Sequence, residues 1–350
     1  MSKVCSYNEW DPLEEVIVGN SLNARYPTLD KSTQLAEFPN RNIDEIPYGN
    51  FPQRVIEETE EDLNEFVEVL EKQGVIVKRP KTWPHEAKFS TIHWEASGYY
   101  NYCPRDIMLV IGDQIIESPN VIRSRMLEVF AYKDLLNDYL KSGAKWYSAP
   151  KPMLLDSLFD VDLNKPIPLN NEPAFDAANV LRLGQDLIYL LSSTGNEFGG
   201  QWLQTMLGET FKVHFLKLDT YYGSHIDSTF IALRPGLMLC NPARVNDDAL
   251  PAVLKQWEVI YSPPMENTNM YDKEYRRNSI GSDWIDMNLF SINPNLVVVN
   301  KHQIPLIKLL ESHGIDVIPL NLRHSKMLGG GFHCVTLDTR RSGTLQKYFE

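Results

Sequence analysis

Short apolar runs and amphipathic stretches alternate along this chain, and the alternation repeats. Val16-Ile17-Val18 reads as a buried strand, and Leu63, Phe66, Val67 and Leu70 recur at helical spacing on a polar background, which gives a helix one apolar face. Gly74 ends that helix ahead of a second strand, Val75-Ile76-Val77, and the acidic run from Glu57 to Asp62 suits the helix start. The same succession returns at Ile107-Met108-Leu109-Val110-Ile111-Gly112, with Leu135, Leu136 and Leu140 on a helix and Gly143 before Lys145-Trp146-Tyr147. A third copy runs from Leu187-Ile188-Tyr189-Leu190-Leu191 past Trp202 and Leu207 to Val213-His214-Phe215. A fourth runs from Leu237-Met238-Leu239 through Val253-Leu254 to Val259-Ile260-Tyr261. In a fifth, Leu310-Glu311-Ser312-His313-Gly314-Ile315-Asp316-Val317 repeats Leu70-Glu71-Lys72-Gln73-Gly74-Val75-Ile76-Val77 with Leu-Glu, Gly and Val in register.

Repeated ββαβ-like units predict an α/β protein in which each unit buries its apolar face against its neighbours and the set closes radially. An ordinary doubly wound sheet is the alternative. With no Pro/Gly/Ser-rich linker between halves, residues 1–350 are expected to form a single domain. No GxGxxG or GxxxxGK[ST] loop is present to cradle a phosphate.

Composition narrows the picture. Apolar residues make up 43% of 350, enough for a sizeable core, and the net charge of −12 argues against a basic surface for nucleic acid or anionic membrane. Cys5, Cys103, Cys240 and Cys334 have neither metal-ligand spacing nor the density of a disulfide framework. A reducing, cytoplasmic setting is therefore expected, with no membrane span.

Gly329-Gly330-Gly331-Phe332-His333-Cys334 is the segment richest in candidate chemistry. Three glycines let a ligand or backbone approach closely, and the cysteine at the head of an apparent strand, Cys334-Val335-Thr336-Leu337, is a candidate exposed nucleophile. A tight turn with a small buried cysteine is the plainer reading. In a radial fold, loops at one end of each unit share a pocket, and three further loops carry acid or imidazole: Cys103-Pro104-Arg105-Asp106, Glu172-Pro173-Ala174-Phe175-Asp176 and Gly223-Ser224-His225-Ile226-Asp227. Alone, Asp106 reads as a turn residue and Asp176 as a helix cap. If His225-Ile226-Asp227 is extended, the imidazole and the carboxylate point to one face.

These segments, together with Asn8-Glu9-Trp10-Asp11, Asn241-Pro242 and Gly343-Thr344-Leu345-Gln346, resemble the amidinotransferases over nearly the whole chain. Glu9-Trp10-Asp11-Pro12-Leu13-Glu14-Glu15-Val16 and Gln53-Arg54-Val55-Ile56-Glu57-Glu58-Thr59 look closer to the bacterial aminocyclitol branch than to the animal glycine enzyme. The resemblance implies a five-bladed α/β propeller of pentein type, and transfer of the amidino group of L-arginine to a primary amine through a covalent amidino-cysteine, with ornithine released. It implies Cys334 as nucleophile, His225 as general acid and base, and Asp176 as its carboxylate partner. By the same resemblance Arg244 and Ser282 hold the arginine carboxylate, although Gly281 stands where the glycine enzyme has a first serine. Asp106, Asp176 and Asp227 can offset the lost hydration of a buried guanidinium.

A transfer that must avoid water calls for a lid, and Pro263 to Arg277 is the candidate. Ser224 stands where the glycine enzyme carries methionine, which suggests a wider acceptor pocket, and Asn20 to Asn40 is expected near the mouth. Inosamine-phosphate, lysine and glycine are all candidate acceptors. No metal or organic cofactor is expected, and the family suggests a homodimer. A hydrolase of the same fold, releasing citrulline or ammonia without an acceptor, is the rival enzyme; a guanidine-binding protein without catalysis is a third reading.

Overall fold

Five three-stranded sheets of one design carry the architecture of the computed structural model, which describes residues 2–218, 223–245, 248, 250–266 and 273–350, the side chains of Lys273, Glu274 and Arg276 excepted. In each sheet the middle strand pairs antiparallel with one neighbour and parallel with the other. The second sheet shows the plan: Met108–Ile111 turns back into Gln114–Glu117, and the helix Lys133–Lys141 crosses over to Lys145–Ser148. The third uses Val180–Leu183, Asp186–Leu190 and Lys212–Leu216, with the helix Glu197–Leu207. Phe230–Arg234, Leu237–Cys240 and Glu258–Tyr261 form the fourth, and Phe290–Asn293, Leu296–Asn300 and Asp316–Leu320, with the helix Ile304–Ser312, form the fifth.

The first sheet joins the two ends of the chain. Leu13–Val18 pairs parallel with Ile76–Lys78 across the helix Gln53–Lys72, and antiparallel with the last strand, Thr336–Arg341. That helix starts four residues before the acidic run, so Glu57 to Asp62 lies within it, where Glu58 pairs with Arg54. The fourth unit has a 3-10 turn, Leu254–Gln256, where a crossover helix stands in the others.

Burial grades across each sheet. The antiparallel strand Met108–Ile111 is buried throughout, whereas Lys145–Ser148 at the other edge is largely exposed. Five apolar clusters are each shared by two sheets. Ile17 and Leu337 pack with Val110 and Ile115; Leu109 and Ile116 with Leu187 and Tyr189; Leu181 and Ile188 with Phe230 and Met238; Ile231 and Leu239 with Val297 and Val299. Phe290 and Val298 then pack with Val16, Leu63 and Phe66 of the first sheet. No unit can bury its apolar face alone, and each finds a neighbour on both sides.

Candidate functional site

One chemistry-bearing residue or pair stands just before the buried antiparallel strand of every sheet. Asp106 precedes Met108–Ile111, Asp176 precedes Val180–Leu183, His225 and Asp227 precede Phe230–Arg234, Asn288 precedes Phe290–Asn293, and Cys334 precedes Thr336–Arg341. Equivalent positions in packed repeats converge, and the hydrogen bonds show that these do. His225 Nε2 lies 3.1 Å from Asp176 Oδ2, and its Nδ1 lies 3.6 Å from Asp106 Oδ1. Cys334 Sγ donates to Asp227 Oδ2 at 3.1 Å.

Local structure explains each placement, and it corrects three expectations. Asp176 is the residue before the 3-10 turn Ala177–Asn179 but does not cap it; its Oδ1 accepts from Asn120 Nδ2 at 3.0 Å and Val121 N at 3.3 Å, leaving Oδ2 for the imidazole. His225-Ile226-Asp227 is not a strand. Thr229 N and Phe230 N both donate to the Ile226 carbonyl, so the segment is a turn, and side-chain alternation is not what brings the two groups together. Cys334 likewise lies in a turn, with Val335 N donating to the Gly331 carbonyl and the strand starting at Thr336. Its thiol is buried, 2% exposed, rather than displayed.

The three glycines serve this turn. Gly329 adopts the left-handed conformation, φ 72°, that ends the preceding helical turn Ser325–Leu328. At Gly330 a Cβ would lie 2.5 Å from Cys103 Sγ, and at Gly331 one would lie 2.6 Å from Asn288 Cβ. The close approach is therefore to the protein's own side chains. Asn288 Oδ1 accepts from both His333 N (2.9 Å) and Cys334 N (3.0 Å).

Behind the cysteine lies a buried ionic network. His333 spans Asp227 (Nδ1 to Oδ2, 3.0 Å) and Glu9 (Nε2 to Oε2, 3.1 Å). Arg182 donates to Glu9 and to both oxygens of Asp338, while Arg105 donates to Asp338 and to the His333 carbonyl. Buried charges are costly unless paired and hydrogen-bonded, and these are both. The network fixes the carboxylate that receives the thiol.

Electrostatics divides the site into an acid-rich centre and a protonated imidazole. Burial lowers the proton affinity of His225, but Asp106, Asp176 and Asp227 outweigh it and bring its pKa up to about 9. Burial, reinforced by the charge of Asp176, raises the Asp106 carboxyl, with His225 and Arg125 opposing. Burial likewise opposes ionisation of Asp176, yet the His225 hydrogen bond and charge hold it below the usual carboxylate range. Asp227 is also held low against burial, first by His333 and then by His225. The Cys334 thiol is pushed well above its ordinary value by contact with Cys103, by burial and by the negative charge of Asp227. The resting nucleophile candidate is thus a thiol, and a cation set among Asp106, Asp227 and Sγ would favour its ionisation.

Arg244 and Ser282 come together, as the sequence suggests: Nη2 donates to Ser282 Oγ at 3.0 Å. Arg244 Nη1 is anchored on Ser228 and Thr229. Ser224 lies at the bend before His225, where its carbonyl accepts from Ser192 and Thr194 hydroxyls, both at 2.6 Å. Of the lid segment Pro263 to Arg277, residues 267–272 lie outside the described residues; Lys273–Asn278 is helical. The stretch Asn20 to Asn40 includes the helix Lys31–Glu37, whose last residue was not singled out from sequence and lines a cavity with Ser282. Asn288 and the bridging role of His333 were also missed. Extending the repeat to its fifth member would have pointed to Asn288. Among the described residues, no group of three or more His, Cys, Asp or Glu is placed to hold a metal ion, and no helix is long and apolar enough to cross a membrane.

Comparison with known proteins accords with this geometry. No protein-family model matches the chain. It is 48% identical to inosamine-phosphate amidinotransferase 1 of Streptomyces glaucescens over 99% of both chains, and 37% identical to the L-arginine:L-lysine amidinotransferase of Pseudomonas savastanoi pv. phaseolicola over 99% of this chain and 97% of that one. The solved inosamine-phosphate amidinotransferase of Streptomyces griseus superposes with a TM-score of 0.96 at 48% identity, covering 100% of each chain. DDAH from Pseudomonas aeruginosa, at 13% identity, matches with a TM-score of 0.59 over 93% of this chain and 99% of its own, which shows a shared α/β fold. With relatives of this identity along its whole length and the thiol, imidazole and carboxylates brought together, the chain belongs to the amidinotransferase family.

Proposed function

We propose that this protein is an L-arginine:amine amidinotransferase in which Cys334 carries the amidino group between two substrates. The observation behind the proposal is the pairing of a thiol on Asp227 with an imidazole held between Asp106 and Asp176. The arginine guanidinium enters between Asp106 and Asp227, and its positive charge offsets the burden that keeps Cys334 protonated. The thiol proton leaves to solvent as that charge arrives, and the thiolate adds to the guanidinium carbon. His225, protonated at neutral pH, gives its proton to the ornithine nitrogen as the carbon–nitrogen bond breaks, leaving an amidino-cysteine and a neutral imidazole. The acceptor amine then adds to the same carbon, His225 takes the proton it sheds, and the carbon–sulfur bond breaks to restore the thiolate. Arg244, with Ser282 beside it, holds the arginine carboxylate.

The acceptor is a primary amine. The high identity to the aminocyclitol enzymes favours an inosamine-phosphate, and lysine is the next candidate, in line with the second relative. Ser224 leaves more room beside His225 than a methionine would. We read the five sheets as blades of a pentein-type propeller making one domain over residues 1–350, a reading supported by the cyclic sharing of the apolar clusters. A homodimer, and a reducing cytoplasmic setting for the four free thiols, complete the proposal. Segment Pro263 to Arg277 remains the proposed lid.

Incubation with L-arginine and a panel of amines, followed by mass spectrometry, tests the function. Ornithine should appear in step with one guanidinylated amine. Citrulline or ammonia formed without any acceptor would assign hydrolysis instead.

A further inference from the structure

A cavity of about 430 Å³ is lined by Glu37, Arg41, Ser279, Ser282, Asp283 and Lys326 among others, and Ser282 joins it to Arg244. The other charged side chains on its wall have hydrogen-bond or ion-pair partners: Arg41 donates to the Arg277 carbonyl, and Lys326 pairs with Asp283. Glu37 is the exception. Its carboxylate has neither a hydrogen bond nor an ion pair among the described residues, although it is only partly accessible to solvent.

The fold ties the helix that carries Glu37 to the loop beside His225. The helix Lys31–Glu37 is capped by Asp30 at its start, and Ser32 Oγ there accepts from Arg123 N. At its end the Ala36 carbonyl accepts from Ser193 Oγ, in the loop whose Ser192 and Thr194 hydroxyls hold the Ser224 carbonyl next to His225. Glu37 therefore belongs to the same pinned assembly as the imidazole. Burial raises its pKa to about 7, and His225 is the strongest charge acting on it. A half-buried carboxylate without a partner is costly, and a cation entering the cavity removes that cost.

We propose that Glu37 is the binding site for the primary ammonium group of a substrate, reached through this cavity. The inference rests on the transferase reading above and deepens it. Asp106 and Asp227 already answer a guanidinium, so Glu37 is the carboxylate left for a second, smaller cation. Two ammonium groups meet that description: the incoming acceptor, which is an ammonium ion in water, and the α-ammonium of arginine, adjacent to the carboxylate assigned to Arg244 and Ser282.

The half-reactions distinguish them, using the full-length protein with Glu37→Gln, and Glu37→Asp as the conservative variant. Circular dichroism first establishes that both are folded. Arginine alone, followed by rapid quench, gives the rate of amidino-cysteine and ornithine formation; acceptor added to the preformed adduct gives the rate of transfer. If Glu37 serves the acceptor, the first step keeps its rate in Glu37→Gln, while the acceptor concentration needed for half-maximal transfer rises roughly ten- to a hundredfold, with partial rescue by Glu37→Asp. If it serves the donor, the rise falls on arginine in the first step, and an analogue lacking the α-amino group reacts equally well with wild type and variant. Either result supports an ammonium site. Both steps within about twofold of wild type across all concentrations would overturn it. Failure of the wild type to form the adduct would instead contradict the transferase reading.

Discussion

Replacing Asp176 with asparagine should lower the pKa of His225 without unmaking the site. Asparagine keeps the shape and the oxygen that accepts from Asn120 and Val121, but it turns an NH₂ toward His225 in place of a charged oxygen. The protonated imidazole then loses a charge-assisted hydrogen bond, worth about 1.5–3 kcal/mol. At about 1.4 kcal/mol per pKa unit, that corresponds to a fall of about one to two units from the value near 9. Asp106 and Asp227 remain, so the imidazole should not drop to the value expected from burial alone. NMR titration of isotope-labelled histidine, with His225→Gln to assign the signal among eight histidines, measures the shift directly. The sign carries over to kinetics. Proton donation to ornithine fades as pH rises through the His225 pKa, so the alkaline limb of the ornithine burst should move down by the same one to two units in Asp176→Asn. A wild-type His225 titrating near its ordinary value, or an unmoved signal in the variant, would refute the electrostatic account.

Three further outcomes follow from the same contacts. Gly331→Ala places a Cβ against Asn288 Cβ and its carbonyl, and should cost about 1–3 kcal/mol in chemical denaturation while slowing adduct formation, because Asn288 orients the Cys334 amide. Asp338→Ala removes the carboxylate shared by the buried Arg105, Arg182 and Arg341, so a loss of about 3–5 kcal/mol is expected; a loss under about 1 kcal/mol would mean the network is not structural. The pH dependence of stability has a definite sign at His225. Its folded pKa is raised, so its contribution is complete below the unfolded value of about 6.5 and is lost as pH rises through about 9. Urea unfolding of wild type and His225→Gln should therefore show a gap that narrows across that window.

The repeat was legible because every unit but the fourth announces itself twice, by helical spacing and by a glycine at the helix end, as at Gly74 and Gly314; the fourth has a 3-10 turn in place of the helix. The strand that completes the first sheet was harder to see, since Thr336–Arg341 belongs to a unit that begins more than three hundred residues earlier. Asp106, Asp176, His225, Asp227 and Cys334 were found through loop position and resemblance, and they do meet. The turn about Ile226, rather than strand alternation, sets the directions of His225 and Asp227. Asn288 is marked only by its place in the fifth repeat; its role, an amide oxygen accepting from two backbone N–H groups, depends on chain segments far from it. His333 was visible as a letter in the glycine motif, but its bridge between Asp227 and Glu9 spans contacts that only folding brings into reach. Glu37 looks like any helix-end glutamate until the cavity beside Ser282 is known.

Intact-protein mass measurement after mixing with saturating L-arginine and rapid quenching is the most direct test. The account predicts a gain of one amidino group, located at Cys334 by peptide mapping, absent from Cys334→Ala, and discharged when an acceptor amine is added. Steady ornithine production by a competent preparation that never carries this adduct would contradict it.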